Sequence, residues 1–276
     1  MFNVGLSTNG KGFSEKLLFD FAEAGIYYTE ISLSKEKCEA FDFALAKKYS
    51  ENSGVKLWSF HLPFMPFTEV DISSPLIAKK SAEYLAEYIK KGADAGIEKF
   101  IIHPSGEPIV PFLRRKHMEN AKESLFRLTE VAKANGAVLC AEDLPRTCLG
   151  RDSDEISELL SVSDDLAVCL DTNHLLTESL PDFIRKVGGR IVTTHISDYD
   201  FKDEKHWLPG EGKIDWNGVV SALEDVGYNG VWLYEVGYKA PASMPRSRDL
   251  TALDFAENAA KIFQKAGHTN PGDEIV

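Results

Sequence analysis

One repeated punctuation restricts this chain more than any other feature. A helical stretch ends at a glycine, and a short apolar run follows at once. The pattern recurs in AGIYYTEISL from Ala24, SGVKLWSFH from Ser53, AGIEKFIIH from Ala95, NGAVLCAED from Asn135, VGGRIVTTH from Val187 and YNGVWLYEV from Tyr228. Glycine just past a helix supplies the left-handed residue that ends it. The runs are short and rich in Val, Ile, Leu and Tyr, as expected of strands covered on both faces in a parallel sheet. NVGLST from Asn3 and DLAVCLDT from Asp165 look alike and bring the count to eight strands. Helical segments lie between them at Ser14–Ala24, Lys35–Asn52, Pro75–Ala95, Leu113–Ala134, Ser153–Ser161, Leu180–Val187, Trp216–Val226 and Thr251–Lys265. Eightfold strand–helix alternation predicts an α/β chain folded as a single (β/α)8 TIM barrel. An open doubly wound sheet would carry GxGxxG spacing after its first strand, and STNGKGFSEK lacks it. The barrel is expected over residues 1–268, with a polar tail at 269–276.

Charge narrows the partners. The chain has 276 residues and a formal net charge of −12. Nucleic-acid binding draws much of its strength from Lys and Arg on phosphates, so no nucleic acid is expected. No apolar run approaches the ~18 residues of a membrane span, and the opening MFNVGLSTNGKGFS lacks a basic then apolar leader pattern. The cysteines Cys38, Cys140, Cys148 and Cys169 form no CxxC pair. Cys140 and Cys169 sit in apolar runs, where cysteine acts as a small buried hydrophobe. A cytoplasmic protein is expected, and a homo-oligomer is compatible with the sequence.

Barrel enzymes place their chemistry at the C-terminal ends of the strands. Here strand three ends at His61, strand four at His103, strand five at Glu142–Asp143 and strand six at Asp171, with His174 close behind. Strand seven ends at His195 and strand eight at Glu235, and His206 follows in the loop after strand seven. Glu142, Asp171 and Glu235 would repel one another in a low-dielectric cleft, and no lysine or arginine is read at these ends. A divalent cation is the economical compensation. Glu142, Asp171, His195 and Glu235 stand on four successive strands, close enough to converge on one ion. Mostly oxygen ligands favour Mn²⁺ or Mg²⁺, while imidazole keeps Co²⁺ and Zn²⁺ open; Mn²⁺ is the expected ion.

At these residues the sequence resembles the xylose isomerase-like TIM-barrel superfamily, in particular its sugar-phosphate isomerase/epimerase members. The resemblance is carried by FHLPF at Phe60, IIHPSGEP at Ile101, CAEDLP at Cys140, CLDTNHLL at Cys169, TTHISDYD at Thr193, HWLPGEGKIDW at His206 and WLYEV at Trp232. It implies that Glu142, Asp171, His195 and Glu235 hold one metal ion and that Glu142 and Glu235 transfer protons on opposite faces of a substrate. It also implies that His174 touches the substrate. The endonuclease IV class of AP endonucleases is similar too, with histidines matching His61, His103, His174 and His206. Its acid two residues before the last histidine corresponds to Glu204, in EKH where those enzymes show DRH.

The expected activity is therefore a divalent-metal-dependent isomerase or epimerase acting on a sugar, cyclitol or sugar derivative through an enediolate. Glu142 and Glu235 serve as acid and base, and His61, His103, His174 and His206 face the carbohydrate. The alternatives are a zinc-dependent phosphodiesterase of AP-endonuclease type and a lyase or dehydratase on the same site. Trp58, Phe60, Phe64, Phe67 and Trp207 are candidates for the pocket wall. Arg246 and Arg248 are candidates for holding an anion or for a surface role. The loop Pro209–Trp216 either covers substrate or simply connects strand to helix.

Overall fold

The expected strands form where the apolar runs lie, in a computed structural model that describes residues 2–64 and 69–267. They are β1 (Asn3–Ser7), β2 (Tyr28–Ile31), β3 (Lys56–His61), β4 (Lys99–Ile102), β5 (Val138–Glu142), β6 (Ala167–Asp171), β7 (Ile191–His195) and β8 (Val231–Tyr234). Neighbours pair in parallel in the order β7-β6-β5-β4-β3-β2-β1-β8. A parallel bridge between Ile196 and Tyr234 brings β7 to β8 and completes the ring. Its Ile196 N–H donates to the Leu233 carbonyl at 2.7 Å. The described chain is a (β/α)8 TIM barrel.

Among the described residues nine helices surround it: α1 (Glu15–Glu23), α2 (Lys35–Glu39), α3 (Phe43–Ser53), α4 (Ala78–Asp94), α5 (Arg114–Ala134), α6 (Ser153–Leu160), α7 (Leu180–Val187), α8 (Trp216–Asp225) and α9 (Ala252–Lys265). The predicted single helix over Lys35–Asn52 is two. Asp42 breaks it, because its carboxylate accepts the Leu45 N–H at 2.9 Å and caps a fresh helix. Phe41, freed from helical geometry, packs edge-on against Phe13 and Phe43. The predicted start at Pro75 moves to Ala78, and the start at Leu113 is a single 3-10 turn over Pro111–Leu113 ahead of α5. Gly54, at φ +74°, closes α3 in the left-handed conformation anticipated for the punctuating glycines.

Each strand shows two faces. Outward residues such as Phe60, Phe100, Leu139, Val168, Leu170, Trp232 and Tyr234 join the large core beneath the helices. Inward residues low in the barrel form a small separate cluster of Ile101, Cys140, Ala167 and Cys169. The pairing of β2 with β3 skips Trp58, running Thr29–Leu57 and then Glu30–Ser59. That of β6 with β7 skips Val192, running Val168–Ile191 and then Cys169–Thr193. A bulge residue re-aims the strand beyond it. Trp58 thereby reaches across the barrel interior, where its indole N–H donates to Thr193 Oγ1 at 3.0 Å.

Candidate metal and substrate site

Alternation along the strands builds the site. Two residues beyond the topmost inward residue that each strand gives to the lower cluster stands an ionisable one: His103 above Ile101, Glu142 above Cys140 and Asp171 above Cys169. His195 stands likewise above Thr193, and Glu235 above Leu233. All five lie at one end of the barrel. Glu142, Asp171, His195 and Glu235 are buried, and each offers one ligand atom within 4.8 Å of the others. Among the described residues two more such groups exist, His61–His103–Glu142 and His174–Glu204–His206. Glu142 belongs to two of the three.

Distances show how these groups share atoms. His195 Nδ1 lies 2.9 Å from Glu142 Oε1, 3.6 Å from Glu235 Oε2 and 3.8 Å from Asp171 Oδ2. His61 Nε2 and His103 Nε2 approach the other oxygen of Glu142 at 3.3 and 3.2 Å. His174 Nε2 lies 3.2 Å from Glu204 Oε2, and His206 Nε2 lies 3.9 Å from the same oxygen. Backbone carbonyls orient three of these rings from behind: Leu62 for His61 at 3.0 Å, Asp143 for His174 at 2.8 Å and Glu235 for His206 at 3.2 Å. A carbonyl only accepts, so each Nδ1 carries the proton and each Nε2 faces the cavity.

Electrostatics push these groups far from their ordinary behaviour. Burial alone would raise Glu142, but His195 and His103 outweigh it and hold the carboxyl well below its usual range. Burial discourages charge on His195, yet the surrounding carboxylates, Glu30, Glu142 and Glu235 among them, keep its pKa well above normal. Asp171 is pushed up to about 7, first by burial and further by Glu142 and Glu235, against the opposing pull of His174. Glu204 is drawn down to about 2 by its bond to His174, against burial, with Arg146 assisting.

Arg146 also ties the rim together. Its guanidinium reaches Asp203 Oδ1 and Glu204 Oε1, each at 2.6 Å, and bonds Glu107 as well. The loops after β4, β5 and β7 are thereby joined. Arg146 does this from a left-handed backbone, φ 53°, which costs a non-glycine residue free energy.

The site can accept a cation. Glu142 Oε2 and Asp171 Oδ2 are buried with no hydrogen-bond partner, and buried polar atoms are otherwise almost always paired. Carboxylates crowded round a single imidazole supply the negative field that a divalent ion needs. The donor set of carboxylate oxygens and one imidazole suits such an ion.

A cavity of about 680 Å³ opens above these groups. His61, His103, Glu142, His174, Glu204, His206 and Glu235 line it on one side, and Thr8–Gly12 with Ser32–Lys35 and Lys37 on the other. Of the proposed aromatic wall, Phe64 lines it and stacks on His103 at 3.9 Å between ring centres. Phe67 lies outside the described residues. Trp58 sits lower in the barrel, and Phe60 packs outward against Phe43 and Phe100. Trp207 is buried, with its indole bonded to Ser243.

The arginine expectations resolve as structural pairs, Arg246 with Glu211 and Arg248 with Asp254, each at 2.6 Å. The loop Pro209–Trp216 is a connection folded around Asp198. That carboxylate accepts the N–H groups of Gly210, Ile214 and the Trp216 indole. A Cβ on Gly212 would fall 2.2 Å from it, so only glycine fits there.

Two residues were missed in the sequence reading. Lys11, in the turn after β1, is a cation at the strand ends and corrects the expectation that none stands there. Its ammonium donates to the carbonyls of Ser7 at 2.9 Å and Val236 at 2.7 Å. Burial pushes it down to about 7, against the pull of Glu235. Glu30, near the end of β2, is fully buried and touches His195 Nε2 at 3.0 Å. An acid inside an otherwise apolar run was the signal that could have found it.

Residues 18–257 match the xylose isomerase-like TIM barrel family. The chain belongs to that family. An uncharacterized protein of Methanocaldococcus jannaschii is 25% identical over 183 residues, which cover 62% of this chain and 61% of that protein. D-psicose 3-epimerase of Ruminiclostridium cellulolyticum is 26% identical over 236 residues, covering 78% of this chain and 73% of that enzyme. Among solved structures, a D-tagatose 3-epimerase-like protein superposes with a TM-score of 0.80 at 19% identity, over 96% of this chain and 98% of that one. The family's barrel thus accounts for nearly the whole described chain.

Proposed function

We propose that this chain is a divalent-metal-dependent isomerase or epimerase of a sugar or sugar derivative. The observation that carries the reading is the buried quartet Glu142, Asp171, His195 and Glu235, two of whose carboxylate-bearing residues keep an unpaired oxygen in or beside the cavity. The similarity to a D-psicose 3-epimerase over most of both chains supports the same substrate class.

The quartet would hold the ion, with Mn²⁺ best suited to a mainly oxygen donor set. Bound there, the ion would supply Lewis-acid stabilisation to the negative charge that develops on the substrate oxygens. The protein's own groups handle the protons. One of Glu142 and Glu235 enters as carboxylate and takes the proton from the carbon α to the substrate carbonyl. The electron pair of that C–H bond becomes the C=C bond of an enediolate. The other glutamate enters protonated and returns a proton to the opposite face, so the reaction involves no net oxidation. His174 and His206, held by backbone carbonyls with Nε2 toward the cavity, are placed to orient hydroxyls, as are His61 and His103. A cavity of about 680 Å³ is ample for a monosaccharide, within the usual range of ligand pockets.

The test is deuterium incorporation from D₂O into a panel of ketoses with the Mn²⁺-loaded protein. Glu142→Gln is expected to cut exchange by ~10²–10⁴-fold, the contribution typical of a positioned acid or base. Undiminished exchange in that variant would remove Glu142 from proton transfer. A second reading has one observation in its favour: Glu142 is shared between two groups of potential ligands, and His174–Glu204–His206 makes a third. Such a set suits a polynuclear phosphodiesterase. Elemental analysis separates the two. One ion per chain supports the isomerase, whereas three zinc ions with phosphodiester cleavage and no exchange would replace it.

A further inference from the structure

His195 is oriented differently from its neighbours. His61, His174 and His206 each turn Nδ1 to a backbone carbonyl and Nε2 to the cavity. In His195 the ring is reversed: Nδ1 faces Glu142, Asp171 and Glu235, while Nε2 points away to Glu30 Oε2 at 3.0 Å. Its partner there is a carboxylate rather than a carbonyl, and the contact is fully buried on both sides. Ser59 Oγ donates to the same oxygen at 2.8 Å and fixes the carboxylate in place. Glu30 lies outside the quartet.

We infer that Glu30 is a positioning residue: it accepts the Nε2 proton of His195 and so reserves Nδ1 as the ligand atom for the ion. Two physical effects follow from that bond. An anionic acceptor keeps the proton on Nε2, which forbids the tautomer that would block Nδ1. It also leaves the ring more electron-rich than a carbonyl would, and so a stronger ligand. Three carboxylates face the ion directly, and Glu30 acts on it through the imidazole. This inference rests on the metal-dependent reading, but the proton's place on the ring can be observed without any metal.

The experiment compares the wild-type chain with Glu30→Gln and Glu30→Asp, using ¹⁵N-labelled histidine. Long-range ¹H–¹⁵N spectra of the metal-free wild type should show a proton on Nε2 of His195, whether the ring is neutral or cationic. Adding Zn²⁺ should keep that proton and shift Nδ1. Calorimetric titration with Mn²⁺ should show affinity about 10–100-fold weaker in Glu30→Gln, as for other outer partners of a ligating histidine. Glu30→Asp should recover part of the loss. A neutral His195 protonated on Nδ1 in the wild type would overturn the assignment, even if neither variant folds. So would a folded Glu30→Gln that binds Mn²⁺ as tightly as wild type. If the wild type binds neither Mn²⁺ nor Zn²⁺, the metal-dependent reading falls, while the Nε2 proton still decides what Glu30 does.

Discussion

The lower and upper levels of the barrel interior are built by the same strands and obey opposite rules. Low in the barrel, Ile101, Cys140, Ala167 and Cys169 close a small apolar plug with no charge in it. One alternation step higher, His103, Glu142 and Asp171 take the same inward direction, and ionisable groups fill the space. The lower level gains from every contact it makes. The upper level buries ionisable groups and packs like charges together at a cost in free energy, which Asp171, pushed up to about 7 first by burial and further by Glu142 and Glu235, makes visible. Stability and chemistry are thus separated by roughly 7 Å along each strand, two residues of strand rise. A substitution in one level should leave the other's property intact.

The strongest way to break that separation is Ile101→Ala. Truncating a fully buried aliphatic side chain should lower stability by ~2–5 kcal/mol. Denaturant titration measures that loss. Mn²⁺ affinity of the protein that remains folded should stay at the wild-type value, and a parallel fall in affinity would show that the levels are coupled.

A smaller effect is expected from acid. Glu204 titrates near 2 in the folded protein, against 4.5 ordinarily, because His174 and Arg146 favour its charged form. A depressed carboxyl contributes stability that is complete above the ordinary pKa and is lost as pH falls through the folded one. Unfolding free energy should therefore decline from about pH 4.5 towards pH 2, and Glu204→Gln should flatten part of that slope. An unchanged slope in the variant would place the acid sensitivity elsewhere.

The smallest effect belongs to Cys140→Ala, which removes one atom from the plug and should cost under ~1.5 kcal/mol. In the wild type, burial pushes the Cys140 thiol up to about 12. Thiol reagents at pH 8 should reach it only on unfolding, and rapid native labelling would show that the plug breathes.

Much of this was legible in the sequence, and the reason is periodicity. Strand alternation and barrel geometry carry a residue's position directly to its direction and level, so His61, His103, Glu142, Asp171, His195 and Glu235 could be grouped before any coordinates. Glu30 obeys the same rule but was hidden, because YTEISL reads as a run continuing through Leu33, whereas its pairing with β3 stops at Ile31. The acid looked mid-strand when it was near the end. Lys11 was hidden by a turn, whose path no periodicity describes. The role of PGEGKIDW depended on Asp198, a distant carboxylate that local pattern could not assign to it. The break at Asp42 is a cap written within a run that was otherwise plausible as helix.

The skipped residues Trp58 and Val192 make the spacing of β3 and β7 part of the site. Each lets a strand begin with one set of side chains towards the helices and finish with His61 or His195 towards the axis. Deleting Trp58 would join Leu57, which faces the helices, directly to Ser59, which faces the axis, so alternation would run unbroken and His61 would stay inward. What β3 would lose is the indole laid across the interior to Thr193, and β7 without Val192 would likewise lose a side chain packed on the lower cluster. Alleles of this gene should therefore tolerate loss of either skipped position better than loss of Phe60 or Thr194, whose removal would turn a histidine to the outer face.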